Sequence, residues 1–349
     1  MSRPRVNLRC PRRWLQGVML GTALLGAVRG VAADKIEFTW PTPNPAWAEG
    51  RPISEFLQQA GSGDPESGGF GGVRSGGSQF HEGIDIKCVR RDRRGEPMDN
   101  VFAAMDGVVR HINGTAGESN YGRYLVLEHP DQTPGVYTLY AHLARIAPGL
   151  REGENVTRGQ VIGLMGHSSS GKIPRDRAHL HFEIGLMVTR EFQLWYNARK
   201  FGSPNEQGLW NGMNLMGFDP LDFLNRWRAG QVRSFQEYLS QVEPAVRLRV
   251  ATTRVPDFVL RYPALLTRPL PMAVSGWEIA FDWTGMPVRW TPLTGPEAIG
   301  LPAGQPRILD VNAELVRRER SRILVVSRRG GWVVAHDLDT VLEQLFGLH

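Results

Sequence analysis

The chain has little cysteine, no long apolar run after its first 33 residues, and no visible internal repeat. Of its two cysteines, Cys10 lies in that first segment and Cys88 is then alone, which excludes an internal disulfide once the segment is removed. No cysteine follows the first apolar run at a lipid-attachment position, which argues against a lipoprotein. The remaining chain must therefore be held by its core and by any metal that it binds.

After residue 33 the chain also has no excess of positive or negative charge. The net charge of +6 comes from the first 33 residues, which hold six arginines and no acid, so 35 basic residues (41 minus six) face 35 acidic ones afterwards. This balance gives no support for a nucleic-acid partner. Gly166 to Lys172 matches a phosphate-binding loop pattern, but Ile173 replaces the hydroxyl residue that binds magnesium. We expect neither nucleic acid nor nucleotide as a partner.

Residues 1–33 are typical of a secretory signal peptide. Arginines come first, an apolar run extends from Trp14 to Val28, and small residues end at Ala33. An uncleaved membrane anchor is the alternative, but the run is interrupted and shorter than the ~20 residues that a span needs. We expect export to the periplasm or the extracellular space, cleavage after Ala33, and no stable membrane span afterwards.

The rest of the chain divides by composition into three parts. Residues 34–79 form an N-terminal extension that ends in a glycine-rich loop. Residues 80–226 contain short apolar runs separated by glycine-rich turns, which predicts a mainly β, antiparallel domain. The predicted strands are Val101 to Ala104, Gly107 to Ile112, Tyr124 to His129, Val136 to Leu143, Gln160 to Met165 and Ala178 to Leu186.

Residues 242–349 form a second, smaller unit that we expect to be α+β. Strands are predicted at Val246 to Ala251 and at Trp277 to Trp283. A hairpin from Ile323 to Ala335 and a final helix from about Asp339 to Phe346 complete it. This unit contains no catalytic group of residues.

The most informative residues are two histidines on one predicted strand. Because side chains alternate along a strand, His179, His181 and Glu183 share one face, and the apolar residues between them share the other. The same alternation in Thr138 to Leu143 places Tyr140 and His142 on one face. If the two strands are neighbours, His142 comes within reach of the histidine pair.

A third group, His81 and Asp85, lies where Gly83 allows the chain to bend into a strand. Two imidazoles and one carboxylate bind zinc at ~2.0–2.2 Å and leave a position open for water, as in catalytic sites. Nitrogen-rich ligation argues against calcium and magnesium, whereas manganese, cobalt and iron stay open. A histidine pair alone is more often structural, so the three motifs together carry the prediction.

In this order, these motifs resemble the lysostaphin/LytM family of zinc metallopeptidases, which cut peptides of bacterial cell walls. The resemblance extends from about Gly71 to Leu224. It is carried by Phe80 to Ile86, Val101 to Ala104 with Asp106 to Val109, Asn120 to Gly122, Thr138 to Leu143, Val156 and Gly159 to Gly163, His179 to Ile184, and Phe218 to Leu221.

The resemblance implies an antiparallel β fold with a narrow groove and one zinc ion per chain. It implies His81, Asp85 and His181 as the metal ligands. His142 and His179 then act as catalytic residues beside the metal, with Tyr140 and Glu183 as candidates for supporting contacts. All five principal positions are filled, which favours an active enzyme over a relative that only activates other hydrolases.

The function implied is a zinc metalloendopeptidase that hydrolyses peptide bonds in peptidoglycan cross-links or stems. A non-catalytic, wall-binding regulator and a secreted protease with protein substrates are the alternatives. A long loop at 167–178 and an insertion at 187–217 depart from the family pattern beside the groove. The insertion either alters substrate preference or is a packed surface excursion, and residues 242–349 form an accessory or purely structural domain. The oligomeric state cannot be read from the sequence.

Overall fold

A computed structural model describes residues 36–347, so the predicted signal peptide lies outside the described residues. Within them, all of the ladders between strands are antiparallel, which confirms the mainly β prediction. The strands are β1 Gly71–Arg74, β2 Gln79–His81, β3 Ile84–Lys87, β4 Asn100–Phe102, β5 Gly107–Asn113, β6 Tyr124–His129, β7 Val136–Ala141, β8 Leu143–Ile146, β9 Asn155–Val156, β10 Val161–Met165, β11 His179–Met187, β12 Leu215–Phe218, β13 Val246–Val250, β14 Gly276–Phe281, β15 Pro287–Leu293, β16 Pro306–Val311, β17 Val325–Arg328 and β18 Gly331–Val334.

The helices are short and lie mainly in the second half of the chain. Asp219 caps the second helix by accepting hydrogen bonds from the backbone N–H groups of Leu221 and Asp222. The α-helices are α1 Phe192–Arg199, α2 Pro220–Arg228, α3 Phe235–Gln241, α4 Asp257–Arg261, α5 Gly295–Ala298, α6 Ala313–Arg318 and α7 His336–Phe346. Among residues 36–347, no helix is both long and apolar enough to cross a lipid bilayer.

The largest sheet has seven strands and contains the strands that the histidine motifs predict. Its order is β12-β11-β7-β6-β5-β9, and β3 also pairs with β11. Strand β11 therefore has β7 along one edge, while β3 and β12 share the other edge. Leu180, Phe182 and Ile184 are fully buried in the core, as the alternation predicts.

Three smaller sheets and a hairpin complete the β structure. Strands β4, β10 and β8 form one sheet, β1 and β2 pair with each other, and β15, β14, β13 and β16 form a four-stranded sheet. The hairpin of β17 and β18 and the final helix α7 occur where the sequence predicts them, although α7 begins at His336 rather than near Asp339.

One apolar core runs through both halves of the described chain. It includes Phe38 and Trp47 of the N-terminal extension, Phe182 of β11, and Trp290 and Phe346 of the C-terminal part. The described residues 36–347 all belong to one compact unit. The division into a domain at 80–226 and another at 242–349 stays a prediction.

The glycine-rich segment differs from the predicted loop, because its end forms β1 and pairs with β2. Gly71 has a φ of +94°, and a Cβ there would lie 2.7 Å from the ring of Trp283. Glycine therefore allows both the backbone conformation and the close contact. The composition indicates flexibility, whereas the tertiary contact gives this segment a defined path.

A second difference concerns the strand predicted from Val136 to Leu143. It is broken at His142, whose φ is +61°, so that β7 ends at Ala141 and β8 begins at Leu143. A left-handed residue interrupts the two-residue alternation of a strand. His142 therefore does not share a face with Tyr140.

Candidate metal centre

Three strands bring the predicted ligands together. Asp85 of β3 and His181 of β11 are directly opposite each other across an antiparallel ladder, and His81 is the last residue of β2. Gly83 lies between them, where a Cβ would come within 2.3 Å of the carbonyl oxygen of Phe182. Only glycine permits so close an approach, so Gly83 lets the chain turn from His81 into β3.

The side chains of these ligands form a compact, buried triangle of donor atoms. His81 Nε2 lies 3.0 Å from His181 Nδ1 and 3.1 Å from Asp85 Oδ1, and His181 Nδ1 lies 3.1 Å from the same oxygen. Ligand atoms of a tetrahedral zinc ion lie about 3.3–3.6 Å apart, given bonds of ~2.0–2.2 Å. The triangle is close to this size, and its atom types are those that zinc prefers. His81, Asp85 and His181 therefore fit a zinc ion.

The carboxylate of Asp85 is held from two sides. Its Oδ1 faces the imidazoles, including His179 Nε2 at 3.3 Å, while Oδ2 accepts a hydrogen bond from the guanidinium of Arg74 on β1. Burial alone would raise the pKa of Asp85, but the neighbouring imidazoles of His179 and His81 hold it well below its usual range. Asp85 is therefore ionised, and its Oδ1 forms one corner of the donor triangle.

The second nitrogen of His181 is also engaged. Nε2 lies 2.9 Å from Glu183 Oε1, and the hydroxyls of Tyr121 and Tyr137 donate to that carboxylate at 2.6 and 2.9 Å. Burial would lower the pKa of His181, but its hydrogen bonds to Asp85 and Glu183 raise the pKa to about 10. A metal ion that binds Nδ1 of His181 must displace any proton held there.

The two remaining histidines lie beside this triangle. The rings of His142 and His179 have centroids 4.8 Å apart, and the ring of His142 is 5.8 Å from that of His181. Each donates through Nδ1 to a backbone carbonyl, His142 to Ser168 and His179 to Arg177, at 2.9 and 2.8 Å. These bonds assign a proton to Nδ1 of each ring. Nε2 of His142 is left as an acceptor, whereas Nε2 of His179 lies 3.3 Å from Asp85 Oδ1.

The electrostatics of His142 favour a neutral imidazole. Burial lowers its pKa well below the ordinary value, and the nearby rings of His179 and His181 add to this effect. Ser168, which accepts from its Nδ1, belongs to the long loop at 167–178 that the sequence marks as unusual. That loop therefore orients one of the predicted catalytic residues.

Sequence reasoning finds the five principal residues but not all of their supports. Arg74, Tyr121 and Tyr137 contact the ligands or Glu183 from distant parts of the chain, and no spacing rule points to them. The expectation for Glu183 agrees with its contact to His181, whereas the expectation for Tyr140 is wrong.

Tyr140 lies on the other face of the sheet from the ligands. Its ring packs against Phe182 with centroids 5.3 Å apart. Its hydroxyl accepts hydrogen bonds from the N–H of Ala104 at 2.8 Å and from the hydroxyl of Thr138 at 3.0 Å. The break at His142 explains the error, because alternation counted from His142 assigns Tyr140 to the wrong face.

A comparison with protein families agrees with this geometry. Residues 79–191, about a third of the chain, match the model described as Peptidase family M23. This segment is similar to peptidase family M23. It contains the donor triangle, His142 and His179, and it ends inside the insertion. The comparison with curated proteins finds no match.

Several solved structures of peptidases also align with the chain. A protein from Ruminococcus gnavus described as a glycyl-glycine endopeptidase lytM is 31% identical, over 32% of this chain and 42% of that one, with a TM-score of 0.26. A zinc-containing peptidase from Vibrio cholerae is 24% identical over 43% and 33%, with a TM-score of 0.25. The catalytic domain of lysostaphin from Staphylococcus simulans is 20% identical over 45% and 89%, with a TM-score of 0.28. The chain thus spans less than half of the first two proteins.

Proposed function

We propose that the protein is an exported, zinc-dependent metalloendopeptidase that hydrolyses peptide bonds in peptidoglycan cross-links or stems. The observation that carries the proposal is the donor triangle inside the family M23 domain. His81 Nε2, Asp85 Oδ1 and His181 Nδ1 lie 3.0–3.1 Å from one another, and all three side chains are buried. The chemistry of the donors and the identity of the family point to the same class of enzyme.

Zinc held by His81, Asp85 and His181 would supply Lewis acidity, which polarises a peptide carbonyl and makes water a better nucleophile at neutral pH. Contacts with the surrounding residues fix the orientations of the three ligand side chains. Glu183 and Arg74 fix the orientations of His181 and Asp85, and the backbone carbonyl of Gly69 lies beside Nδ1 of His81. Such supporting contacts raise the affinity of a site for its metal.

His142 and His179 would move the protons of the hydrolysis. Since Nδ1 of His142 donates to a carbonyl, Nε2 of that ring can accept a proton from the attacking water, and the ring of His179 lies beside it with centroids 4.8 Å apart. The protonated ring can then donate that proton to the leaving amine or stabilise the negative charge on the carbonyl oxygen. The low pKa of His142 keeps it available as an acceptor at neutral pH.

Two features support an extracytoplasmic peptide of the cell wall as the substrate. Residues 1–33 have the pattern of an export signal. The family M23 match covers the strands that line the site. Export, zinc dependence and the peptidoglycan substrate are parts of the proposal.

Digestion of purified peptidoglycan sacculi tests the proposal. The zinc-loaded protein should release fragments with new peptide ends, identified by mass spectrometry. These ends should disappear after chelation and in His179→Ala, and they should persist in His111→Ala, which removes an imidazole outside the site. Release that survives chelation would contradict a metalloenzyme. If the zinc-loaded protein leaves sacculi intact but cleaves unstructured polypeptides, it is a protease that acts on protein substrates.

A further inference from the structure

A cleft of about 620 Å³ opens beside the metal centre. Three parts of the chain line it, and two of them lie wholly or largely outside the family M23 match. The family domain contributes the strand end that carries the first ligand, the insertion contributes α1 and the turns after it, and the C-terminal part contributes α7. Representative lining residues are Phe80, Glu82, Tyr121, Trp195, Phe201 and Gln344.

The cleft is one residue away from the proposed metal site. Glu82 directly follows His81, and Tyr121 separates the cleft from His181, with ring centroids 5.5 Å apart. The hydroxyl of Tyr121 donates to Glu183, which contacts His181. The cleft therefore borders the proposed metal site, with the ring of Tyr121 between the cleft and His181.

Glu82 is the uncompensated charge of this cleft. Its half-buried carboxylate has no hydrogen bond or ion pair with any residue of 36–347. The two arginines of the cleft have other partners: Arg199 pairs with Glu343 at 3.1 Å, and Arg322 lies 4.0 Å from Asp337.

Asp337 and Arg322 differ from Glu82 because each has a partner within the fold. Asp337 accepts a hydrogen bond from the backbone N–H of Ile323 at 2.5 Å. The guanidinium of Arg322 lies over the ring of Phe80 at 4.2 Å. Both groups are thus engaged within the fold, whereas Glu82 lines the cleft and has no ion-pair partner among residues 36–347.

We propose that this cleft binds the part of a peptide substrate that carries a free ammonium group, with Glu82 as its counter-charge. A half-buried carboxylate without a partner is stabilised by a cation that reaches it, and hydrogen bonds between two charged groups are among the strong ones. Trp195 and Phe201 provide apolar surface for the methylene chain that carries the ammonium. The ligand class is a peptide with a diamino-acid side chain near the scissile bond.

This inference rests on the proposed function for the nature of the substrate, but peptide binding can be measured separately from hydrolysis. The probes are an end-blocked tripeptide Ala-Lys-Ala and the same peptide with an acetylated lysine side chain. Each is titrated by calorimetry into zinc-loaded protein carrying His179→Ala, which prevents consumption of the peptide. Glu82→Gln is then added to this background, with Asp337→Asn as the matched control of equal charge change.

The lysine peptide should bind about fivefold more tightly than its acetylated form, and Glu82→Gln should remove this difference, given the strength of half-buried ion pairs. Asp337→Asn should preserve it, because Asp337 is already engaged within the fold. Equal affinity for both peptides, no detectable binding, or an equal loss in both variants would overturn the inference. Sacculus digestion by the wild type is scored independently, so the proposed function can stand while this inference fails, and the reverse.

Discussion

Oε1 of Glu183 lies 2.9 Å from Nε2 of His181, on the far side of the imidazole from the donor triangle. The same carboxylate accepts hydrogen bonds from Tyr121 and Tyr137. Glu183 thus connects a proposed metal ligand to two tyrosines that are distant in the sequence. A carboxylate in this position orients the ring and increases the basicity of the ligand nitrogen.

We therefore expect Glu183→Gln to weaken zinc binding by about 10–100-fold, the usual effect of losing such a contact. The amide cannot accept from both tyrosines and from His181 as the carboxylate does. Competition with a chromogenic chelator measures the affinity. Tyr137→Phe is the control, because it removes one hydrogen bond and keeps the carboxylate. Unchanged affinity in Glu183→Gln would contradict the role assigned to Glu183.

Arg74 should act on the metal through Asp85. Because its guanidinium holds Oδ2, its loss frees the carboxylate to rotate away from the donor triangle. We expect Arg74→Gln to lower zinc affinity by about tenfold and Arg74→Lys to restore part of it, since lysine keeps the charge but not the planar geometry. Arg90→Gln, which breaks the ion pair with Asp99 elsewhere, should leave zinc affinity unchanged. An equal effect of the two glutamine variants would indicate a general loss of charge.

Substitution of the histidines should show that two of them bind the metal and that two others act in hydrolysis. His81→Ala and His181→Ala should lose bound zinc, measured by mass spectrometry of the metal. His142→Ala and His179→Ala should retain zinc and lose about 10²–10⁴-fold in hydrolysis, the usual contribution of a proton-transferring group. Loss of zinc from either of the second pair would make that residue a ligand and would revise the assignment.

Asp282 should make stability depend on pH. Its Oδ1 accepts hydrogen bonds from the backbone N–H groups of Thr284 and Met286, each at 2.9 Å, in the turn between β14 and β15. Burial raises its pKa to about 6. An unfolded aspartate has a pKa of ~3.9, so the folded state binds this proton more tightly. The contribution of Asp282 to stability is therefore complete below about pH 4 and declines as the pH rises to about 6.

The asparagine variant lacks this titration and keeps an acceptor oxygen. From pH 4 to pH 7, the free energy of unfolding of the wild type should fall relative to Asp282→Asn by on the order of 2–3 kcal/mol, as two pKa units imply. Urea denaturation at both pH values measures the change. Asp131→Asn, at an exposed aspartate, is the control. A constant difference between wild type and Asp282→Asn would show that Asp282 titrates normally.

The sequence predicts which side chains of β11 share a face and where most strands lie, because local alternation and turn residues determine both. It also singles out His81, Asp85, His142, His179 and His181, which the structure places next to one another. It does not predict the backbone at His142, since no pattern in the sequence shows that this residue is left-handed. The error for Tyr140 follows from that one residue.

Contacts between distant segments account for the rest. Arg74 reaches Asp85 from β1, the strand on which Gly71 accommodates the ring of Trp283. The cleft is lined jointly by the segment that matches the family, the insertion and α7. Such contacts leave no periodic signal. Glu82 is therefore an ordinary acidic residue in the sequence and a distinctive one only in the fold.

His142 combines an imidazole with a left-handed backbone, which costs a residue with a side chain roughly 1–2 kcal/mol and costs glycine almost nothing. Position 142 is thus a place where stability and the proposed role in hydrolysis favour different amino acids. Under selection for hydrolysis, histidine persists there at the expense of stability. Glycine or asparagine at position 142 would relax the backbone and remove the imidazole, so a gain in stability there would come with the loss of a proposed catalytic group.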